Sequence, residues 1–385
     1  MASIKLKGDT SGEITIQAPA VAGTTTLNLP ATSSTLATQN ALGVRNLIIN
    51  GDMRIAQRGT SSTGQTTGGY LTVDRFYTGG TAGTWTITQD TDTPTGQGFA
   101  TSLKMNCTTA NASLSPNSYW YVEHKIEAQN CQHIKFGTAS AETLTLSFWV
   151  KSNKTGTYTF ELYRADSGRH ISNTYTISSA DTWEKKTITI NSDSTGVINN
   201  DNGEGLRCMF WVVAGTTFTS GTLATSWATL SNANRVSSSN VNLADSTSNY
   251  INITGVQLEV GDTATPFEHR PYDMELARCQ RYYVVFGGDS AYTPYGTGNN
   301  YSSTNGTMVV SYPVQMRANP TLTVTTPNRV LSGSANASVT AMSLGNGGRL
   351  TSYIDYTASG LTVGQGSYIT SNGSTSGTIS FSSEL

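Results

Sequence analysis

The stretch Asn249–Phe286, NYINITGVQLEVGDTATPFEHRPYDMELARCQRYYVVF, combines a strand pattern with the clearest helix pattern in the chain. Apolar and polar residues alternate up to Val260, as is typical of a half-buried strand, and Gly261-Asp262 ends that strand. After Pro271, residues at steps of four, three and four share one helical face: Tyr272, Leu276, Cys279 and Tyr283. The stretch therefore predicts the end of one β-domain, a short helix, and the start of a second β-domain.

The composition of the 385-residue chain favours an all-β fold. Charged residues make up 12% of it, about half of the usual share, while serine, threonine, asparagine and glycine are abundant. Aromatic residues at 9% argue against disorder, because disordered segments contain few of them. Such a composition is typical of many short strands joined by polar turns, and the length suffices for two or three domains.

Residues 1–44 are predicted to form a small N-terminal β adaptor. Three apolar pairs alternate with polar residues between turn signals: Ile4/Leu6, Ile14/Ile16 and Leu27/Leu29. Segments this small bury too little apolar surface to be stable alone. We therefore expect this part of the chain to pack on a partner surface, either another copy of the chain or a neighbouring protein.

Residues 45–270 are predicted to form an antiparallel jelly roll or β-sandwich. The strands expected in it are Leu47–Ile49, Trp85–Thr88, Ser102–Met105, Tyr119–Ile126, Leu144–Lys151, Tyr158–Tyr163, Lys185–Ile190, Leu206–Val213 and Ile251–Val260. Polar turns separate them, and the absence of a repeat of fixed period argues against a β-helix.

The segment 271–283 is expected to be a helical hinge. Residues 284–385 are expected to form a β-rich tip domain with strands such as Leu322–Thr325 and Tyr353–Tyr356.

Sequence motifs at both ends of the predicted jelly roll resemble a known class of virion proteins. The run Gly255–Tyr283 is similar to the segment that closes the jelly-roll domain of many tailed-phage tail-fibre and minor virion proteins. The matching start is Arg45–Met53 followed by Tyr70–Phe76. Between these ends, Leu144–Lys151 and Asp181–Lys185 resemble middle strands of carbohydrate-binding jelly rolls. The resemblance covers most of the predicted jelly roll and the helix after it.

The resemblance implies a structural protein of a bacteriophage virion, in first place a tail fibre. It implies a homotrimer that binds host cell-surface polysaccharide or lipopolysaccharide, and so serves in receptor binding and host adsorption. Residues 1–44 would attach it to other phage tail or capsid proteins. Such a protein would be made in the host cytoplasm and would reside in the virion tail. Two alternatives stay open: a capsid-surface fibre or decoration protein, and a glycan-cleaving depolymerase.

The remaining features of the sequence argue against several function classes. The formal net charge is −2, from 23 basic and 25 acidic residues, so we expect no nucleic-acid partner. No apolar stretch is long enough to span a bilayer, so we expect no membrane insertion. No nucleophile elbow, phosphate-binding loop or zinc-peptidase motif occurs, so we expect no enzyme and no cofactor. Paired carboxylates for glycoside hydrolysis stay open, because spacing in sequence does not fix spacing in the fold.

Aromatic residues in polar surroundings are the candidate glycan-binding residues, because their rings stack on sugar C–H groups while nearby polar groups bond the hydroxyls. The tip domain offers three in a run rich in glycine and asparagine: Tyr292, Tyr295 and Tyr301. The jelly roll offers three consecutive ones: Tyr119, Trp120 and Tyr121. On a strand, the middle ring of these points opposite to its neighbours. The alternative for each ring is a packing role in a core.

A structural calcium ion is a further alternative that the resemblance implies, because similar jelly rolls often hold one near their first and last strands. Its ligands here would be the hard oxygen atoms of Asn50, Asp52 and Glu259. Against this, Asp52 can complete a Gly-Asp turn and Glu259 can face solvent, in which case the protein binds no metal.

Overall fold

The computed structural model describes residues 3–7, 12–17 and 45–385. The chain divides into two compact units after Leu42. In the first unit, β1 (Ser3–Lys7) and β2 (Glu13–Gln17) form an antiparallel pair. A two-stranded sheet is only marginally stable in water by itself, and the expectation that this unit packs on a partner surface stays a prediction. The third predicted pair, Leu27/Leu29, lies outside the described residues.

Thirteen strands between Ser61 and Val260 form two antiparallel sheets. In chain order they are β3 (Ser61–Gln65), β4 (Gly69–Tyr70), β5 (Phe76–Gly80), β6 (Thr84–Asp90), β7 (Ser102–Thr109), β8 (Tyr119–Glu127), β9 (Leu144–Ser152), β10 (Gly156–Arg164), β11 (Arg169–Ile177), β12 (Glu184–Ile190), β13 (Glu204–Ala214), β14 (Ala228–Thr229) and β15 (Tyr250–Val260). One sheet has the order β14-β11-β10-β13-β8-β5-β4 and the other the order β12-β9-β15-β7-β6-β3. The predicted all-β, antiparallel sandwich class is confirmed.

The interior of the sandwich follows from the two-residue period of its strands. On β9, Leu144, Leu146 and Phe148 are fully buried, and they share one hydrophobic core with residues of the opposite sheet such as Trp120 and Phe160. The residues between them on β9 point to the outer face of the six-stranded sheet. A shift of one residue would exchange the two faces, so the buried core fixes the register of each strand.

Short helices lie in the connections of the sandwich. They are α1 (Thr216–Thr219) and 3₁₀ helices at Ala128–Ile134, Asn232–Asn234 and Leu243–Asp245. The sequence patterns do not predict them, because each has too few residues to show a helical period.

The predicted strand Leu47–Ile49 is wrong, because residues 45–60 form no strand. This segment runs beside β15, and the side chain of Asn46 links the two. Its Oδ1 accepts hydrogen bonds from the backbone N–H groups of Ile48 (2.9 Å) and Leu258 (3.0 Å). One asparagine thus pairs buried backbone groups that a strand ladder would otherwise have paired.

The helix α2 spans Tyr272–Gln280, so the predicted helical segment extends too far. Tyr283 begins the next strand and does not share a helical face with the three other residues that were expected to do so. Cys279 is buried and Leu276 is half-buried, whereas Tyr272 is 56% exposed. The apolar face of the helix is therefore confined to its last two turns.

Nine strands after α2 form a small sheet and a closed barrel. In chain order they are β16 (Tyr283–Gly287), β17 (Pro294–Asn300), β18 (Asn305–Ser311), β19 (Thr321–Thr325), β20 (Asn328–Ser332), β21 (Ala335–Gly347), β22 (Thr351–Ala358), β23 (Gly366–Ser371) and β24 (Thr378–Ser382). The sheet has the order β16-β24-β19, and the barrel closes through β17-β18-β22-β21-β20-β23. Apolar residues such as Met308, Ile354 and Ile369 fill the interior. No helix in the described part of the chain is long and apolar enough to cross a membrane.

Buried ion pairs join the sandwich to the segments on both sides of the barrel. The Glu127 carboxylate on β8 accepts two hydrogen bonds of 2.7 Å from Arg281, which follows α2. Glu384, which follows β24, pairs with Arg58 (3.1 Å) and with the fully buried Arg75 of the sandwich. The segment that the sequence predicts as a hinge is thus fastened to the sandwich by charged as well as apolar contacts.

Candidate functional site

The three tip tyrosines do not form one surface. Tyr295 is only 5% exposed, and its hydroxyl donates a 2.8 Å hydrogen bond to Asn328 inside the barrel, so the prediction that it contacts a glycan is wrong. Tyr292 and Tyr301 are about half exposed. They lie at opposite ends of β17, whose seven residues span roughly 20 Å. The two rings are therefore separate surface features.

The aromatic run of β8 is divided between the two faces of its sheet. Trp120 is fully buried in the core against Trp85, with ring centres 5.3 Å apart, so the prediction that it binds a glycan is wrong. Tyr119 and Tyr121 lie on the outer face, where their rings stack at 5.4 Å. Both rings pack on the buried Trp211, at 6.4 and 5.2 Å, beneath the connection that contains α1. These tyrosines are half-buried parts of a small apolar cluster.

The three residues of the calcium alternative are each bound to other protein groups. Asn50 donates to the carbonyl of Asp74 at 2.9 Å and Asp52 pairs with Arg54 at 3.0 Å. The Glu259 carboxylate accepts hydrogen bonds from the backbone and hydroxyl of Thr265, at 2.9 and 2.6 Å. In the described residues, no three acidic, histidine or cysteine side chains converge in a way that could hold a metal ion. These contacts leave few free oxygen lone pairs for a cation.

A concave site that the sequence did not predict lies on the outer face of the six-stranded sheet. We call it the Trp149 pocket; its volume is about 380 Å³, and its principal lining residues are Gln97, Ser147, Trp149, Lys185, Phe267 and His269. Trp149 lies on β9 between Lys185 of β12 and Thr254 of β15. Because those two strands flank β9, the indole is held at the middle of three paired strands.

A β-bulge shapes one wall of the Trp149 pocket. The pairing of β15 with β9 is irregular between Thr254 and Gln257, and Gly255 has a φ of +62° there. A Cβ atom at Gly255 would lie 2.6 Å from the ring of Phe99, so only glycine lets that ring pack on the backbone. Phe99 in turn contacts Phe267 and His269, with ring centres 5.0 and 5.4 Å away. Bulges often redirect side chains in this way next to functional sites.

Several polar groups in the Trp149 pocket are unpaired. The Ser147 hydroxyl, the Lys185 ammonium and the Trp149 indole N–H have no hydrogen-bond partner among the described residues. The amide of Gln97 and the imidazole of His269 are likewise without one. The lining contains no carboxylate, so the pocket lacks the acid pair that glycoside hydrolysis requires.

A second aromatic residue continues the same outer face. The Trp183 indole N–H donates to Asp92 at 2.9 Å, and Lys151 of β9 donates to the other carboxylate oxygen at 2.7 Å. Burial would raise the pKa of Asp92, but the hydrogen bonds from Lys151 and Trp183 outweigh it and lower that pKa. The ring of Trp183 is therefore held in place by an ionised carboxylate beside the pocket.

The alternation of β9 contains the signal that could have revealed this site. Its apolar phase holds Leu144, Leu146, Phe148 and Val150, and its polar phase holds Thr145, Ser147, Trp149 and Lys151. An aromatic residue on the polar phase of a strand must lie outside the core. The other walls come from distant parts of the chain, and no local pattern predicts that they meet.

Comparison with known proteins gives distant structural likenesses. No protein-family model matches the sequence, and no curated protein matches it. The chain is similar to the enzymatically active domain of tailspike protein 4 of bacteriophage CBA120, with 14% identity, a TM-score of 0.31, and coverage of 56% of this chain and 21% of that one. It is also similar to the carbohydrate-binding module TmCBM61 in complex with β-1,4-galactotriose (9% identity, 56% and 99% coverage, TM-score 0.28). A third is the CBM22 tandem domain of Paenibacillus barcinonensis Xyn10C (11% identity, 86% and 97% coverage, TM-score 0.25). At these TM-scores the likenesses do not bear on function.

Proposed function

We propose that this protein is a non-enzymatic structural component of a phage virion that binds host cell-surface glycans, and that the Trp149 pocket holds the sugar. The observation that carries the proposal is an accessible indole ring next to unpaired polar side chains in one concave site of about 380 Å³. That volume lies in the range of small-molecule sites, roughly 300–1,000 Å³. Three of these polar residues, Gln97, Lys185 and His269, are exposed, so their donors and acceptors are open to a ligand with many hydroxyls that stacks on the indole.

Each part of the pocket has a role in this proposal. One face of the Trp149 ring stacks on the C–H face of a pyranose, which buries apolar area while leaving the hydroxyls at the edge of the ring. Ser147 and Gln97 can both donate to and accept from those hydroxyls. Lys185 and His269 also line the pocket and can add further hydrogen bonds to the sugar.

The virion role rests on the sequence motifs at the two ends of the sandwich. In this proposal the protein is a tail fibre, assembled as a homotrimer, with residues 1–44 attached to another tail or capsid protein. A capsid-surface fibre or decoration protein would use the same pocket from a different attachment point. Three copies per fibre and several fibres per particle would multiply weak binding at each pocket into firm adsorption.

Binding of Trp149→Ala to an array of bacterial capsular and O-antigen polysaccharides tests the proposal. Truncation of an aromatic anchor typically costs about 2 kcal/mol or more, which is about a 30-fold loss in affinity. We expect that loss for Trp149→Ala and none for Tyr272→Ala, which removes an exposed ring on α2 that does not line the pocket. Wild-type affinity in Trp149→Ala would refute the assignment of the pocket.

The tip domain gives the competing location for the glycan. If Tyr292 and Tyr301 form the receptor contact, their joint change to alanine abolishes cell adsorption while Trp149→Ala leaves it intact. The opposite pattern supports the Trp149 pocket. Release of reducing ends from a bound polysaccharide by the purified protein would favour the depolymerase alternative over a purely binding role.

A further inference from the structure

A second cavity, of about 410 Å³, lies where the start of the sandwich meets the 3₁₀ helix Ala128–Ile134 and α2. We call it the Arg278 pocket; the residues that define it are Leu47, Ile49, Asn130, His133, Arg278 and Arg281. It shares no lining residue with the Trp149 pocket. The two cavities are therefore distinct sites that can be tested separately.

Arg278 lacks an ion-pair partner, although the arginines around it have one. Arg281 makes two 2.7 Å hydrogen bonds to Glu127, and Arg270 pairs with Glu275 at 3.2 Å. Arg278 makes no hydrogen bond or ion pair with any described residue. Arg278 is half-buried and lines the cavity, so its five donors are open to a ligand that binds from outside the chain.

The electrostatics around Arg278 agree with its geometry. Burial lowers the pKa of Arg278, and the nearby positive charge of Arg270 lowers it further. Glu275 and Glu268 attract Arg278 from a distance, but both are hydrogen-bonded to Arg270. An anion placed in the pocket would supply the direct pairing that these two acids do not.

The charges in the lining indicate how much negative charge the pocket accepts. The lining holds two arginines and no carboxylate, and Glu127 already neutralises one of them. Burial lowers the pKa of His133, so this imidazole is neutral at pH 7. One cation therefore remains to be matched, which suits a carboxylate better than a phosphate monoester of about −1.5 to −2 charge.

The other lining residues of the Arg278 pocket indicate which chemical groups the rest of the ligand carries. The Asn130 amide and the His133 imidazole have no partner among the described residues and face the same cavity as Arg278. Leu47 and Ile49 add apolar groups to the same lining. We propose that the Arg278 pocket is a second ligand site, which binds a small hydroxylated carboxylate of the size of a sugar acid. The carboxylate pairs with Arg278, and the hydroxyls bond to Asn130 and His133.

Titration calorimetry of the full chain with sodium glucuronate tests this assignment, with glucose as the neutral analogue of the same ring size. We expect saturable binding of glucuronate, none of glucose, and at least a tenfold loss of glucuronate affinity in Arg278→Gln. Lys135→Gln is the matched control, because it removes one nearby positive charge that pairs with Glu142 and does not line the cavity. Absence of glucuronate binding to the wild type, or equal binding to Arg278→Gln, would overturn the proposal.

Two further measurements distinguish a ligand site at Arg278 from binding in the Trp149 pocket and from a purely structural arginine. Trp149→Ala should bind glucuronate as the wild type does, and a loss there would place the sugar acid in the Trp149 pocket instead. Arg278→Met removes the unpaired charge while keeping the aliphatic stem, so it should raise the melting temperature of the free protein and abolish the further rise that glucuronate causes. A lower melting temperature in Arg278→Met would mean that the arginine stabilises the fold, and would contradict its role as a ligand group.

Discussion

The ion pair between Glu384 and Arg75 predicts a measurable loss of stability when Glu384 is replaced by alanine. The Arg75 side chain has no exposed area. Its guanidinium donates to the carbonyl of Lys125 at 2.7 Å and lies 3.4 Å from the ring centre of Tyr282. Burial favours the neutral form of this arginine, but Glu384, together with smaller contributions from Tyr282 and Tyr70, outweighs burial and raises the pKa of Arg75. The charge on Arg75 is thus held in the interior chiefly by one carboxylate.

The expected loss of stability in Glu384→Ala depends on the contacts that Arg75 retains in that variant. Removal of one partner of a buried ion pair typically costs about 3–5 kcal/mol, because the other charge stays buried and unpaired. In Glu384→Ala, Arg75 would retain its contacts with Lys125 and Tyr282, so we expect a loss near the lower limit, about 3 kcal/mol. At about 2 °C per kcal/mol for a large folding unit, the melting temperature would fall by about 6 °C.

Urea and thermal unfolding, followed by tryptophan fluorescence, would measure this loss. Glu142→Ala is the matched control, because Glu142 pairs with Lys135 at 2.7 Å on the surface and such pairs contribute about 0–1 kcal/mol. The double variant Arg75→Met/Glu384→Leu removes both charges and should recover much of the stability. If Glu384→Ala lost no more stability than Glu142→Ala, the ion pair would not stabilise the contact between the sandwich and the segment after β24, and our reasoning would be refuted.

Two further predictions concern pH and backbone geometry. Burial raises the pKa of Asp74 from 3.8 to about 6 despite the nearby Arg58, so the folded state binds a proton that the unfolded state has already lost. The stability of the wild type relative to Asp74→Asn should therefore fall by about 2 kcal/mol as the pH rises from about 4 to about 6, and a constant difference across that range would contradict this. Gly255→Ala should lower stability by about 2 kcal/mol more than Gly64→Ala and weaken binding in the Trp149 pocket, since both glycines have a positive φ but only Gly255 is crowded by Phe99. Equal unfolding free energies for the two variants would contradict the packing argument.

The sequence predicted most of the sandwich because its strands are short apolar segments between polar turns. The expected strands in β9, β13 and β15 lie where the pattern places them, although residues of both phases are buried on them, for example Thr145 on β9 and Gln257 on β15. The errors occur where another interaction replaces the backbone ladder. Leu47–Ile49 has the composition of a strand, but only the N–H of Leu47 bonds to the β15 backbone, at Leu258, while the N–H groups of Ile48 and Leu258 donate to the side chain of Asn46. No composition rule distinguishes these two ways of pairing the same groups.

The error in α2 has a different physical cause. Tyr283 continues the helical spacing, yet the helix ends at Gln280 because the chain is drawn into β16, which pairs with β24 nearly a hundred residues later. Tyr295 fails as a site residue for a similar reason. Its polar surroundings in sequence suggest exposure, but barrel closure places its ring inside. Long-range pairing decided both outcomes, and it is not visible in a local window.

The two tryptophans Trp120 and Trp149 show what a strand pattern says about a binding site. On β8 the apolar phase contains Trp120, Val122 and Ile126, and this phase faces the core. On β9 the apolar phase is complete without Trp149, so the indole has to lie on the outer face. The two-residue period of a strand thus argues against Trp120, which its aromatic neighbours had suggested as a ligand contact. It favours Trp149, which the composition of the surrounding sequence does not single out. The phase of an aromatic residue within its strand therefore says more about ligand contact than the polarity of the residues around it.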